Sequence, residues 1–119
     1  MATAGEIREG LEDYVGRCNG NPKLRKMLRS WSRTCVFSAL DTEAAFTVRI
    51  EAGEIVEVLD TAAAEADLVI SATSEDLADM FWGDLNPAQK YVTGEIKVAG
   101  SAEDVLRVDA MAALIWVDA

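Results

Sequence analysis

Hydrophobic positions recur at helical spacing through the first thirty-one residues, alternate strictly after that, and return to helical spacing in the last third. Ile7, Leu11, Tyr14 and Val15 share one helical face, which predicts a helix over residues 4–17 that Gly20 stops. Asn21-Pro22 reads as an N-cap followed by a proline pre-set for the first helical position. Leu24, Met27, Leu28 and Trp31 then follow at i, i+3, i+4 and i+7, extending a second helix over residues 22–31. From Thr34 the period is two. Cys35, Phe37 and Ala39 alternate with Val36, Ser38 and Leu40; after a turn at Asp41-Thr42, Phe46, Val48 and Ile50 alternate with Ala45, Thr47, Arg49 and Glu51. Ala52-Gly53 turns the chain into a third strand from Ile55 to Leu59, giving an antiparallel meander, and Asp67–Ala72 reads as a fourth strand.

Thr73-Ser74-Glu75-Asp76 has capping-box spacing and opens a helix carrying Leu77, Met80 and Phe81, closed by Gly83. Asn86-Pro87 repeats the cap-and-proline device for a short helix ending at Gly94. Glu95–Ala99 predicts a fifth strand with Ile96 and Val98 inward, and Ser101 caps a final helix. That helix begins amphipathic, with Glu103 and Arg107 at i, i+4. Its second half, Ala110 to Val117, has no polar residue on any face. A helix apolar all round needs cover all round, so it either closes over a cavity or is covered on its outer side by another molecule.

Composition narrows the function. The 119 residues fit one domain over residues 1–119, with helices in 1–33 and the sheet with its closing helices in 34–119; half the residues are hydrophobic, which excludes disorder. The apolar run from 110 to 117 is too short to cross a bilayer, and the first residues lack a signal-peptide pattern, so a cytoplasmic location is expected. There is no histidine, which removes the histidine-based nucleophile systems and the common zinc-ligand sets. No metal or cofactor is expected. Cys18 and Cys35 form no C-x-x-C pair and are expected to stay reduced.

The net charge of −10 argues against a nucleic-acid partner, because that binding rests on phosphate neutralisation. The charge is uneven. Arg17, Lys23, Arg25, Lys26, Arg29 and Arg33 crowd residues 17–33 without one acid, on an otherwise acidic chain.

The stretch Ala66-Asp67-Leu68-Val69-Ile70, the helix opened by Asp76-Leu77, Phe81-Trp82-Gly83-Asp84-Leu85-Asn86-Pro87 and Tyr91-Val92-Thr93-Gly94-Glu95-Ile96-Lys97-Val98-Ala99-Gly100 stand in an order that resembles the sterol-carrier-protein-2 (SCP-2, sterol-binding) family. Phe46-x-Val48-x-Ile50 with Gly53 is similar to that family's second strand and turn. The resemblance runs from about Thr34 onward. It implies an α+β fold, a five-stranded, mostly antiparallel sheet covered by helices, with a hydrophobic tunnel between the two. It further implies non-catalytic binding, and transfer, of lipids such as a fatty acid, a fatty acyl-CoA or a sterol-like molecule.

On that reading the tunnel is lined by Phe46, Val48, Leu77, Phe81, Trp82, Met111, Leu114, Ile115 and Trp116, each of which would serve equally as ordinary core. The basic segment has three readings: a solvated face, a head-group clamp formed by Lys23, Arg25, Lys26 or Arg29, or a transient contact with anionic membrane. The carboxylate pairs Asp76/Asp79 and Glu103/Asp104 invite a catalytic reading, but they sit where acids meet a helix dipole favourably. No catalytic residue is assigned. The alternative function is an accessory module that forms a homodimer, or docks to a lipid-metabolism enzyme, through its apolar C-terminal helix.

Overall fold

The computed structural model describes the backbone of residues 2–118 and the side chains of residues 2–111. The order is α1 (Ala4–Asn19), α2 (Pro22–Met27), β1 (Arg33–Ala39), β2 (Ala45–Glu51), β3 (Glu54–Leu59), β4 (Leu68–Ala72), α3 (Ser74–Trp82), α4 (Pro87–Thr93), β5 (Lys97–Ala99) and α5 (Ala102–Asp118). The five strands form one sheet in the order β3-β2-β1-β4-β5. The expected meander is present, β1 to β2 and β2 to β3 both antiparallel. β4 lies parallel to β1 on its other side, and β5 runs antiparallel to β4. This is the expected α+β architecture with a mostly antiparallel sheet.

Register sets the inner face. Cys35 pairs across to Val48 and Leu68, Phe37 to Phe46 and Ile70, and Ile70 to Val98. Because side chains alternate across a strand, these residues form rows on one face, and α1, α3 and α5 contribute to the same hydrophobic cluster through Leu11, Leu77 and Met111. On the opposite face Thr47 is buried beneath the β3–β4 connection: its hydroxyl donates to the Thr61 carbonyl (2.6 Å) and accepts from the Ala63 amide (2.8 Å).

The caps operate as their residue types require. Asn21 accepts from the Leu24 amide, Thr73 from the Asp76 amide and Asn86 from the Ala88 amide. Ser101 Oγ accepts from the Asp104 amide at 3.1 Å. Asp41, in the β1–β2 turn, accepts from the Ser74 amide (2.8 Å) and hydroxyl (3.0 Å), tying that turn to the start of α3. Those bonds, the backbone one foremost, hold its carboxyl below the usual carboxylate range.

Three expectations are corrected. The second helix stops at Met27 instead of continuing to residue 31. Trp31 is needed elsewhere: it is buried, its indole donates to Asp104 (2.9 Å), and its carbonyl accepts from the Gly53 amide (3.0 Å), so the chain turns after Leu28 to deliver it. Leu40 extends past β1 and is exposed. The fifth strand starts at Lys97 instead of Glu95, because the Glu95 and Ile96 amides both donate to the Lys90 carbonyl (2.9 and 3.1 Å), finishing α4 around the left-handed Gly94.

The β2–β3 hairpin is closed by Ala52 (φ 51°) and Gly53 (φ 79°), the paired left-handed conformation of a two-residue hairpin turn. A Cβ on Gly53 would lie 2.7 Å from the Leu28 carbonyl oxygen. Gly53→Ala is therefore expected to destabilise by more than the roughly 1–2 kcal/mol of a left-handed alanine alone, read as a lower urea midpoint with an unchanged slope.

Candidate functional site

The inner face of the sheet does not pack flush against every helix. Between them lies a cavity of about 370 Å³, within the range that small-molecule sites occupy. The sheet supplies its floor through Cys35 and Phe37 of β1, Val48 and Ile50 of β2, Ile55 of β3, Ile70 of β4 and Val98 of β5. One wall is Leu11 and Tyr14 of α1 with Met80 of α3. The other is built from α4 and α5: Pro87, Ala88, Tyr91 and Val92 face Val105, Leu106, Val108, Asp109 and Met111. Val92 is 84% exposed and Leu106 69%, so the cavity opens to solvent between these two helices.

Among the described residues its surface is apolar except at three side chains: Tyr14, Cys35 and Asp109. Burial pushes the Cys35 thiol up to about 12. Burial likewise pushes the Tyr14 hydroxyl well above its usual value, with the neighbouring Cys18 adding to the shift. Both groups are therefore uncharged at neutral pH. Both cysteines are free and buried. Among the described residues no cluster of histidine, cysteine and carboxylate side chains could hold a metal ion.

Of the nine residues expected to line a tunnel, Val48 and Met111 are on the cavity surface. Phe46, Leu77 and Phe81 are buried core residues outside that surface. Phe81 stands one layer behind it, its ring 5.0 Å from Phe37 and 5.5 Å from Tyr14. Trp82 points elsewhere: it is half exposed and lies over Gly10 of α1, where a Cβ would come within 2.9 Å of its indole nitrogen. The side chains of Leu114, Ile115 and Trp116 lie outside the described residues.

The four basic head-group candidates, Lys23, Arg25, Lys26 and Arg29, are exposed on α2 and the following turn, and none lines the cavity. Arg25 reaches Glu54 at 3.5 Å. Three of the four carboxylates weighed for catalysis have cationic partners. Asp104 is buried against Arg33 (3.0 Å), Glu103 pairs with Arg107 (3.3 Å), and Asp76 lies 3.8 Å from Lys90. Asp79 has its carboxyl raised by desolvation and by the nearby Asp84, Asp76 and Glu75.

Sequence reading did not single out Tyr14, Phe37 or Asp109 as lining residues. A signal was there for each. Tyr14 shares a helix face with Leu11, Phe37 alternates in step with Cys35, and Asp109 stands at i+4 from Val105, on a face otherwise apolar.

Comparison with known proteins gives the family and agrees with the fold. The model of the SCP-2 sterol transfer family matches residues 12–113, reaching back into α1. No curated protein sequence matches the chain. Among solved structures, the fold is similar to a crystal structure of sterol carrier protein 2, at 16% identity and a TM-score of 0.66, covering 91% of this chain and 94% of that one. It is similar to the ubiquinone synthesis protein UbiJ-SCP2 at 16% identity and a TM-score of 0.66, covering 92% and 94%. Palmitated SCP2L2 from Aedes aegypti, solved in solution, shares 16% identity with a TM-score of 0.63, covering 96% and 95%. No helix among the described residues is long and apolar enough to cross a membrane.

Proposed function

Because the chain belongs to the SCP-2 sterol transfer family, we propose that its cavity holds the apolar part of a single lipid, in a non-catalytic binding and transfer role, with fatty acids, fatty acyl-CoAs and sterol-like molecules as the candidate ligands. The observation that carries this reading is the apolar cavity of about 370 Å³ that opens between α4 and α5. The energetics are sufficient without any head-group clamp. An acyl chain of ~15 methylenes gains roughly 12 kcal/mol at ~0.8 kcal/mol per CH₂, against ~4–15 kcal/mol for association and ordering. At the low end of that cost, burial alone reaches about micromolar affinity.

The test is titration of delipidated protein with a fluorescent lipid probe, run both as the free acid and as the alcohol, for wild type and Met111→Trp. Met111 is buried on the cavity surface, so the indole fills space the ligand would use. The expected result is saturable, competable binding that Met111→Trp weakens about ten-fold while the far-ultraviolet spectrum stays unchanged. Folded wild type that binds neither probe would end the carrier reading.

A second reading is favoured by the rim. Tyr91, Val92 and Leu106 are exposed around the opening, which suits docking to a second copy or to a lipid-metabolism enzyme. A concentration-dependent mass in solution, abolished by Val92→Glu, would support it.

A further inference from the structure

Building on that reading, we propose that the cavity selects lipids whose polar end is uncharged, such as an alcohol, over those ending in a carboxylate or phosphate, with Asp109 as the residue that sets the preference. Three observations lead to it.

First, no cationic side chain lines the cavity among the described residues, and residues 112–119 contain no lysine, arginine or histidine. A carboxylate drawn into it would find no lysine, arginine or histidine, and an anion moved out of water without a partner is strongly disfavoured. Second, burial already disfavours charge on the cavity surface: it pushes the Cys35 thiol up to about 12 and raises the Tyr14 hydroxyl well above its usual value. A ligand acid buried beside them meets the same environment.

Third, the opening carries negative charge. Asp109 is exposed on α5 and, among the described residues, is the one charged residue lining the cavity. The cations on the two flanking helices are engaged. Lys90 of α4 pairs with Glu95 (3.2 Å) and Asp76 (3.8 Å), and Arg107 of α5 pairs with Glu103 (3.3 Å). The basic cluster that could neutralise an anionic head lies on α2 and the turn after it, away from the cavity lining. A ligand lying with its tail against the sheet and its head at the opening therefore presents that head to Asp109. A hydroxyl there can donate to the carboxylate, whereas an anion is repelled.

The experiment is competition against a neutral probe, a fluorescently labelled fatty alcohol, bound to the delipidated full chain at pH 8. The competitors are dodecan-1-ol and dodecanoate, which share a chain and differ in the head. An ionised head is harder to desolvate in any apolar site, so the ratio of the two inhibition constants is followed across variants. The expected ratio on wild type favours the alcohol by more than about ten-fold. Asp109→Asn should narrow it by about three-fold and Asp109→Lys by about ten-fold or more, an effect that shrinks at high salt as expected between a surface charge and an anion. Glu65→Gln, which removes an exposed charge outside the cavity lining, should leave it unmoved.

Equal potency of the two competitors on wild type would overturn the proposal, as would a ratio unchanged by both Asp109 variants or shifted equally by Glu65→Gln. Dodecanoate displacing the probe as well as the alcohol sinks the selectivity while leaving lipid binding intact. If folded wild type does not bind the probe at all, the lipid reading fails and the selectivity fails with it.

Discussion

Asp104→Ala should lower the unfolding free energy by about 3 kcal/mol, the low end of what breaking a buried ion pair costs, and drop the melting temperature by roughly 10 °C. The Asp104 side chain is 7% exposed and accepts from the Trp31 indole at 2.9 Å and from Arg33 Nε at 3.0 Å. Arg33 and Arg107 flank the Trp31 ring, 5.7 and 5.9 Å from its centre. Removing the carboxylate leaves a buried indole N–H without its acceptor, and Arg33, one-third exposed, turns to water, which is why the low end applies. Asp104→Asn keeps an acceptor for the indole and should cost about half as much.

The pH dependence has a definite sign. Burial pushes the Asp104 carboxyl up, but the bonds from Arg33 and Trp31 outweigh it and hold it below the ordinary value. Its stabilisation is therefore complete above the ordinary carboxylate range and is lost as the pH falls through the lower, folded-state value. The gap between wild type and Asp104→Ala should persist from pH 8 to 5 and close in acid below about pH 4. A gap that does not change on acidification would mean that charge is not what Asp104 contributes.

Phe81→Ala should be at least as damaging, with a loss of about 3–5 kcal/mol for a fully buried phenylalanine. Its ring meets Phe37 edge-on and tilts against Tyr14, and both of those rings border the cavity. Truncation therefore opens space directly behind the cavity surface. Urea unfolding should show a lower midpoint, with a smaller loss for Phe81→Leu. A well-filling lipid should recover part of that loss by mass action, and more so for a branched or ring-bearing lipid than for a straight chain. A loss below about 1 kcal/mol would mean that the neighbouring rings collapse into the gap.

The elements were legible where local chemistry decides them. Asn21-Pro22, Thr73, Asn86-Pro87 and Gly83 fix helix ends by hydrogen bonds that each residue makes within a turn of itself. The meander was legible because its period is two and its hairpin has left-handed residues available. The parallel β1–β4 pair was not, since it joins segments about thirty residues apart and no local pattern encodes it. The end of α2 was missed because the bond from Trp31 to Asp104 spans most of the chain.

The cavity was legible as a class and less so in its residues. Alternation tells that Phe46 and Val48 both point inward. It cannot tell that Phe46 meets other side chains while Val48 borders open space, which depends on how the helices sit above the sheet. Asp109 stands directly before the apolar run 110–117, so the sequence pattern marks it as the polar end of that run rather than as part of the cavity lining.

The order β3-β2-β1-β4-β5 also governs what the molecule can stick to. Its two outer strands are poor templates for another chain. β5 is three residues long. β3 carries Glu54 and Glu57, and its pairing with β2 slips in register between Arg49 and Ile50. Short, charged and irregular edges are how sheets resist growing into one another. At high concentration the protein is therefore expected to resist fibrillar stacking, which leaves side-chain surfaces such as the rim at Val92 and Leu106 for any self-association.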